Sequence, residues 1–330
     1  MMHESMDTLG EPPPPRGVRT EWSAVPKHIQ QAFESWAGSP VISAITQPSG
    51  FSPGVAARLR LADGRGVFVK AVGSEANADS PVFHRREARI VAALPPDVPV
   101  PRLLWSFDEG EGGWVMLVFE EADGRHPRQP WQSDELQQVL DALAELTARL
   151  TPSPLPPGAV RSASARVERG ICGWRLLRSD AAETHSRLDD WSRRNLAALA
   201  ELESRAPDAV RGNTLLHFDI RADNVLLGDN HVWFFDWPHA SIGPAWLDVV
   251  WLIPSVTMQG GPPPEDVFAR YSGSRVADPD AVTCALAALS GYFTRQSLQP
   301  TLPGLPTLRA FQAAQGAVAK RWLAQRTGLA

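Results

Sequence analysis

The sequence predicts an α+β chain in two lobes: a five-stranded antiparallel sheet with one helix, then a mostly helical lobe carrying one short hairpin. Three observations predict it. Between residues 41 and 120, short apolar runs alternate like strands and are separated by turns bearing Gly and Asp. From Asp134 onward, leucines recur at helical spacing. Inside the helical part, LLHFDIRADNVLL (215–227) and VWFFDW (232–237) set two aspartates and an asparagine around two short apolar runs.

The elements follow in order. Residues 1–22 carry a Pro12-Pro13-Pro14-Pro15 run and no apolar core, so a disordered or extended lead is expected there. A helix is expected over 27–36, ending near Gly38, and strands over 41–46, 55–61 and 66–72. Ser80 and Pro81 open a helix that runs to about 94 with Glu87 at its middle. Strands over 102–107 and 114–120 flank a Gly- and Glu-rich turn and complete the sheet, giving a first lobe over 23–120. The helical lobe takes 121–330. Helices are expected over 134–150, 181–205, 245–252, 264–271, 279–296 and 306–326.

The hairpin carries the chemistry. Val225 to Leu227 reads as a short buried strand, Val232 to Phe235 as its partner, and Gly228-Asp229-Asn230 as the turn. Pairing them brings Asn224, at the start of one strand, beside Asp236, at the end of the other. An amide and a carboxylate oxygen a few ångströms apart suit Mg²⁺, which takes few protein ligands and completes its shell with phosphate oxygens and water. Asp219 lies five residues before Asn224, one loop earlier. This is the H-x-D-x-x-x-x-N…D order of kinase-type phosphoryl transfer, in which one carboxylate meets the acceptor hydroxyl while an amide and a second carboxylate hold the metal.

Lysine usage gives an independent clue. Of 32 Lys and Arg residues only Lys27, Lys70 and Lys320 are lysines. A lysine kept in the apolar run Gly66-Val67-Phe68-Val69-Lys70 therefore points to a site that Arg does not fit. A loop with Ser49, Gly50 and Gly54 precedes it. Strand, glycine loop, strand, turn, strand ending in Lys is the order in which loop backbone covers nucleotide phosphates and the Lys pairs with them. Glu87 is the expected partner of that Lys. At the sheet's end, 119–124, the backbone of Glu120 and Ala122 is positioned to meet an adenine edge.

HFDIRADNVLL and FFDWPHASIGPAWLD resemble the aminoglycoside phosphotransferase family, a branch of the protein-kinase-like fold; the resemblance runs from about 41 to at least 255. It implies transfer of a phosphoryl group from ATP, or GTP as the alternative, to a hydroxyl of a small molecule with Mg²⁺. By the same resemblance Asp219 is the catalytic base or hydroxyl-orienting carboxylate, Asn224 and Asp236 are metal ligands, and Lys70 with Glu87 is the phosphate-positioning ion pair. His217 braces the loop, and Asp248 is the buried aspartate that anchors it. Three departures stand out. Phe218 replaces the family's usual glycine, so the loop is expected to pack differently. Arg221 stands where protein kinases place a lysine that touches the transferring phosphate, and is a candidate catalytic residue that would stabilise that charge or simply face the acceptor. Trp237 follows Asp236 in place of Phe-Gly. Only eleven residues separate Asp236 from Asp248, too few for a peptide platform, so a small acceptor is favoured over a protein.

Composition sets the bounds. A hydrophobic share of 43% and a charged share of 21% describe an ordinary globular chain. A net charge of −5 leaves no footprint for nucleic acid and is compatible with a cationic acceptor. Cys172 and Cys284 have neither disulfide-framework nor metal spacing and read as small buried residues. No run is long enough to span a membrane, no obligate protein partner is evident, and a cytoplasmic location is expected. Acidic residues around 189–191 and in 258–266 are candidate walls for a polyamine acceptor, with antibiotic resistance as the corresponding role. A metabolic kinase for a sugar, amino alcohol or amino acid is the alternative, and a nucleotide-binding pseudokinase or interaction module is a further one.

Overall fold

The computed structural model describes residues 13–75, 77–229 and 231–330. Five strands, β1 (Val41–Thr46), β2 (Val55–Leu61), β3 (Gly66–Val72), β4 (Leu103–Asp108) and β5 (Val115–Glu120), form one antiparallel sheet in the order β1-β2-β3-β5-β4. Strand alternation gives the sheet two working faces. Met116 and Val118 of β5 join Val67, Val69 and Ala71 of β3 in a core closed by α1 (Lys27–Ala37) through Ile29 and Phe33. Leu117 and Phe119 point the other way, into the core shared with the helical part. Each large apolar side chain fully buried this way contributes about 1.5–3 kcal/mol. Gly38 ends α1 at φ +66°, a left-handed cap that costs a glycine little. The helix α2 (Ser80–Val91) crosses between β3 and β4 and buries Glu87. Ser80 is already helical, and Asp79 rather than Ser80 is the N-cap.

The helical part contains α3 (Ser133–Arg149), α4 (Ala163–Arg169), α5 (Gly173–Ser179), α6 (Ala182–Ser186), α7 (Asp190–Arg194) and α8 (Leu196–Ala209). After the hairpin come α9 (Leu247–Met258), α10 (Pro264–Arg270), α11 (Pro279–Ser297) and α12 (Leu308–Thr327). The single helix expected over 181–205 is corrected to three. Asp189 accepts the Ser192 N–H at 2.8 Å and starts α7 as an N-cap inside what reads as one helical pattern. The short helices α4 and α5 were not expected; Ser162 caps α4 by accepting the Ala165 N–H at 3.1 Å. Cys172 and Cys284 are free and buried.

Two small sheets frame the motif. β7 (Val225–Leu227) pairs β8 (Val232–Phe234) as expected, with Val225 opposite Phe234; Asn230 of the turn lies outside the described residues. β6 (Thr214–Leu216) pairs β9 (Ser241–Gly243), a contact too short for sequence periodicity to reveal.

Of the disordered or extended lead expected over 1–22, the disordered alternative needs correction from Pro13 onward, while 1–12 lie outside the described residues. Arg16 bridges Gly50 and Arg19 bridges Gly54 in parallel. The Gly17 N–H donates to Gly50 O at 2.8 Å, and the Val18 N–H to Gly304 O at 2.8 Å. The lead is thus bound between the glycine loop and the segment before α12.

Candidate active site

The site starts from the loop between β6 and β7. The backbone N–H groups of His217 and Phe218 both donate to the Asp248 carboxylate at 2.8 Å, tying the loop to the first turn of α9. Burial pushes the Asp248 carboxyl up to about 7, against the two N–H groups that favour its charged form. The His217 ring meets Phe235 O at 2.9 Å and packs at a tilt against Trp237, with centroids 4.7 Å apart, so it joins the loop to the far end of the hairpin. Phe218 keeps the backbone a glycine would adopt, with φ +67°. That conformation costs a residue with a Cβ roughly 1–2 kcal/mol. The ring recovers it by packing on Trp251 at 5.5 Å, almost fully buried.

This loop presents Asp219. Its Oδ1 accepts from Arg221 Nη1 at 2.5 Å, and Asn224 Nδ2 donates to its backbone O at 2.8 Å. Arg221 also grips Asp223 with Nε and Nη2, both at 3.0 Å. Burial works against its charge, but the Asp219 and Asp223 carboxylates outweigh burial and hold it cationic. Arg221 is therefore committed to fixing Asp219. Asp223 was missed by sequence reasoning, although a carboxylate two residues from Arg221 was there to be weighed.

The sheet supplies the opposite wall. β3 sets Lys70 opposite Ala56 and Leu117, and its Nζ donates to Glu87 Oε1 at 2.7 Å and to Asp236 Oδ1 at 2.6 Å. Burial disfavours the Asp236 carboxylate, yet Lys70 against it keeps its pKa well below the usual range. For Lys70 too, burial is outweighed by Asp236 and Glu87, and its pKa is raised. Burial pushes Glu87 up, with Lys70 opposing. Asp236 itself adopts φ +73°, which turns its carboxylate toward Lys70 and away from β8. With Oδ1 on Lys70, the second oxygen of Asp236 and the amide oxygen of Asn224 remain, an oxygen-only donor pair suited to a hard divalent cation.

One cleft gathers these residues. Ser49, Gly50, Lys70, Glu87, Glu120, Ala122, Asn224 and Asp236 all line it. Gly54 closes the loop at φ +98°, where a Cβ would stand 2.6 Å from Ala71 O. The Ala122 backbone makes no hydrogen bond with a described residue, whereas the Glu120 N–H donates to Arg102 O at 3.0 Å. Arg19, also unforeseen, lines the cleft and donates from its two terminal nitrogens to the carbonyls of Ser49 and Ser52. Three of the acidic residues expected to form an acceptor wall pair within the protein. Asp189 binds Lys320, Asp190 binds Arg193, and Glu265 takes Trp322 and Arg326; none of them lines the cleft.

Comparison with known proteins gives the fold and the family. No curated protein matches the sequence. Among solved structures, a thermostable mutant of aminoglycoside phosphotransferase APH(4)-Ia, in ternary complex with ADP and hygromycin B, superposes with a TM-score of 0.62 at 15% identity. The match covers 91% of this chain and 98% of that one. APH(2")-IIia, in its GDP and kanamycin complex, gives 0.59 at 14% identity over 92% and 99%. The amicoumacin kinase hAmiN, bound to AMP-PNP, Ca²⁺ and Ami, gives 0.56 at 11% identity over 88% and 93%. These likenesses establish the protein-kinase-like fold. The phosphotransferase enzyme family, APH, matches residues 49–283, and the chain belongs to it.

Proposed function

We propose that this phosphotransferase moves the γ-phosphoryl group of ATP, with GTP as the alternative donor, onto a hydroxyl of a small molecule. The observation that carries the reading is the meeting of Lys70, Glu87 and Asp236 at 2.7 and 2.6 Å on the wall of the cleft that Asn224 also lines. The nucleotide lies under the loop from Ser49 to Gly54, its base toward the backbone of Glu120 and Ala122. Similar folds crystallised with ADP, AMP-PNP and GDP support a purine nucleotide there.

Asn224 and Asp236 would hold Mg²⁺, which, when bound, neutralises phosphate charge. Lys70, kept cationic by two carboxylates, turns one face to the phosphates as a compact point charge. Asp219, fixed by Arg221 and by its anchored loop, accepts the hydroxyl hydrogen bond and takes the proton as the acceptor oxygen bonds to the γ-phosphorus. The bond from that phosphorus to the β-bridging oxygen breaks, and the nucleoside diphosphate leaves with the electron pair. Positioning and electrostatics supply most of the acceleration. After Asp236 the chain turns at once into β9 and α9, which supports a small acceptor over a peptide. Among the described residues no helix is long and apolar enough to cross a membrane, and a cytoplasmic site of action fits the need for ATP.

Asp219→Ala tests the reading. Transfer is expected to fall at least about a hundredfold, with Mg·ATP affinity by calorimetry nearly unchanged. Normal turnover in that variant would remove Asp219 from the chemistry.

A further inference from the structure

Beside the catalytic loop and β9 the chain gathers arginines that form no ion pair with a described carboxylate. Arg166 on α4 lays its guanidinium 5.0 Å over the ring of Phe218, the residue next to Asp219. Its side chain makes no ion pair or hydrogen bond with a described residue. Arg161 lies at the start of the same segment, where its backbone O accepts the Ile242 N–H of β9 at 3.3 Å; its side chain is exposed and likewise unpaired. Arg86 reaches across from α2, with Nη1 3.4 Å from Pro238 O and its guanidinium 5.6 Å from the Phe83 ring. Phe83 in turn packs on His239 at 5.2 Å. These groups stand around the chain from Asp236 to β9, beside the catalytic loop, and none of the three arginines lines the nucleotide cleft.

The arginines feel one another. Burial lowers Arg166 to about 10, and Arg86 and Arg161 act in the same direction; Tyr292 and Asp219 act against them. Burial lowers Arg86 as well, with Arg161 and Arg89 adding to it. His239 is held neutral, chiefly by burial. The carboxylates at hand are already taken, Asp219 by Arg221 and Asp236 by Lys70. A group of like charges with no counter-ion is unfavourable until an anion arrives, and guanidinium forks match carboxylate and phosphate oxygens. A polycationic acceptor entering the same space would add to the repulsion.

We propose that Arg166, with Arg161 and Arg86, forms an anion-recognising subsite beside Asp219. The acceptor is then a hydroxyl compound that also carries a carboxylate or a phosphate group. The anionic group anchors on the arginines and swings the hydroxyl toward Asp219. This inference rests on the phosphotransfer reading.

The test offers Mg·ATP and four acceptor classes: hydroxycarboxylates, sugar phosphates, neutral sugars and aminocyclitols, with transfer read by mass spectrometry. The proteins are the parent chain, Arg166→Ala, Arg166→Lys and Arg161→Ala. The parent is expected to favour an anionic class, and whether hydroxycarboxylates or sugar phosphates win identifies the anion. Arg166→Ala should raise KM for that class roughly 10- to 100-fold, with kcat less affected and with no such rise for neutral acceptors. Arg166→Lys should recover part of the loss, and Arg161→Ala should show a smaller rise. If Arg166→Ala does not fold, the exposed Arg161 and the lysine variant carry the test. Three results would overturn the subsite: preference for neutral sugars or aminocyclitols, an equal kcat loss on every class, or a matching fall in Mg·ATP affinity. Transfer to no class despite normal Mg·ATP binding would defeat the phosphotransfer reading, and the subsite with it.

Discussion

On the glycine-loop side of Asp219, Lys70 and Arg221 each meet two carboxylates, whereas on the β9 side Arg86, Arg161 and Arg166 meet none. The first arrangement is closed. Its charges cancel within the protein, so the geometry is set before any ligand arrives. The second is open, and its charge is satisfied only from outside. The difference separates residues that shape the site from residues that read what enters it. Removing a member of the closed set strands buried charge; removing a member of the open set relieves repulsion and costs ligand affinity alone.

Lys70→Ala tests the closed side most severely. It leaves Glu87 and Asp236 facing each other with no cation. A loss of about 3–5 kcal/mol of stability is expected from urea denaturation, together with loss of measurable nucleotide binding by calorimetry. Lys70→Arg should not rescue it, because the planar fork does not replace a point charge between two converging carboxylates. Full activity with arginine at 70 would mean that Lys70 is only one cation among many.

Arg221→Ala comes next. Asp219 and Asp223 would lose their shared partner, and the loop would lose the 2.5 Å contact that holds the reactive carboxylate in place. A fall in kcat of about a hundredfold is expected, with nucleotide affinity changed far less. If KM for the acceptor rose while kcat held, Arg221 would belong with the open set.

Much of this architecture is legible in the sequence, for physical reasons. The five strands declare themselves because alternation and Gly-bearing turns are local signals, and β2, β3 and β5 are buried enough to keep their pattern nearly pure. The catalytic loop and hairpin are legible because their ligands fall within twenty residues of one another. Lys70 stands out only against a background of arginine. What escaped depends on contacts distant in sequence. Nothing in Arg16-Gly17-Val18-Arg19 announces that Arg19 will hold the carbonyls of Ser49 and Ser52. β6 and β9 have three residues each, too few for periodicity. Arg86 reaches Pro238 from α2 and Arg166 reaches Phe218 from α4, contacts that no spacing records. Asp189 fell inside one expected helix and is instead the cap that divides it.

A buried carboxylate outside the site provides a control for the closed network. Glu203 accepts the N–H groups of Trp174 and Arg175 at 3.0 and 2.8 Å, and burial pushes it up to about 7. The unfolded chain holds that proton only up to about 4.3. Between those values the folded state binds more protons, so this group's contribution to stability is fully present below about 4.3. It declines as pH rises toward about 7. The slope is at most about 1.4 kcal/mol per pH unit. Glu203→Gln should flatten that part of the curve in urea denaturation between pH 5 and pH 8. An unchanged slope would show that Glu203 is ionised throughout.

The smallest expected effect falls at Phe218, where the closed and open sides touch. Glycine at 218 would release the left-handed backbone strain, about 1–2 kcal/mol, and lose the burial of the ring against Trp251, about 1.5–3 kcal/mol. The two nearly cancel, and stability should fall by no more than about 2 kcal/mol. Arg166, however, rests on that ring at 5.0 Å. The same change should therefore loosen an anionic acceptor through Arg166 while leaving Mg·ATP affinity at its parent value. A stability loss well beyond this range would show that the ring anchors the catalytic loop beyond its own burial, alongside the two N–H bonds to Asp248.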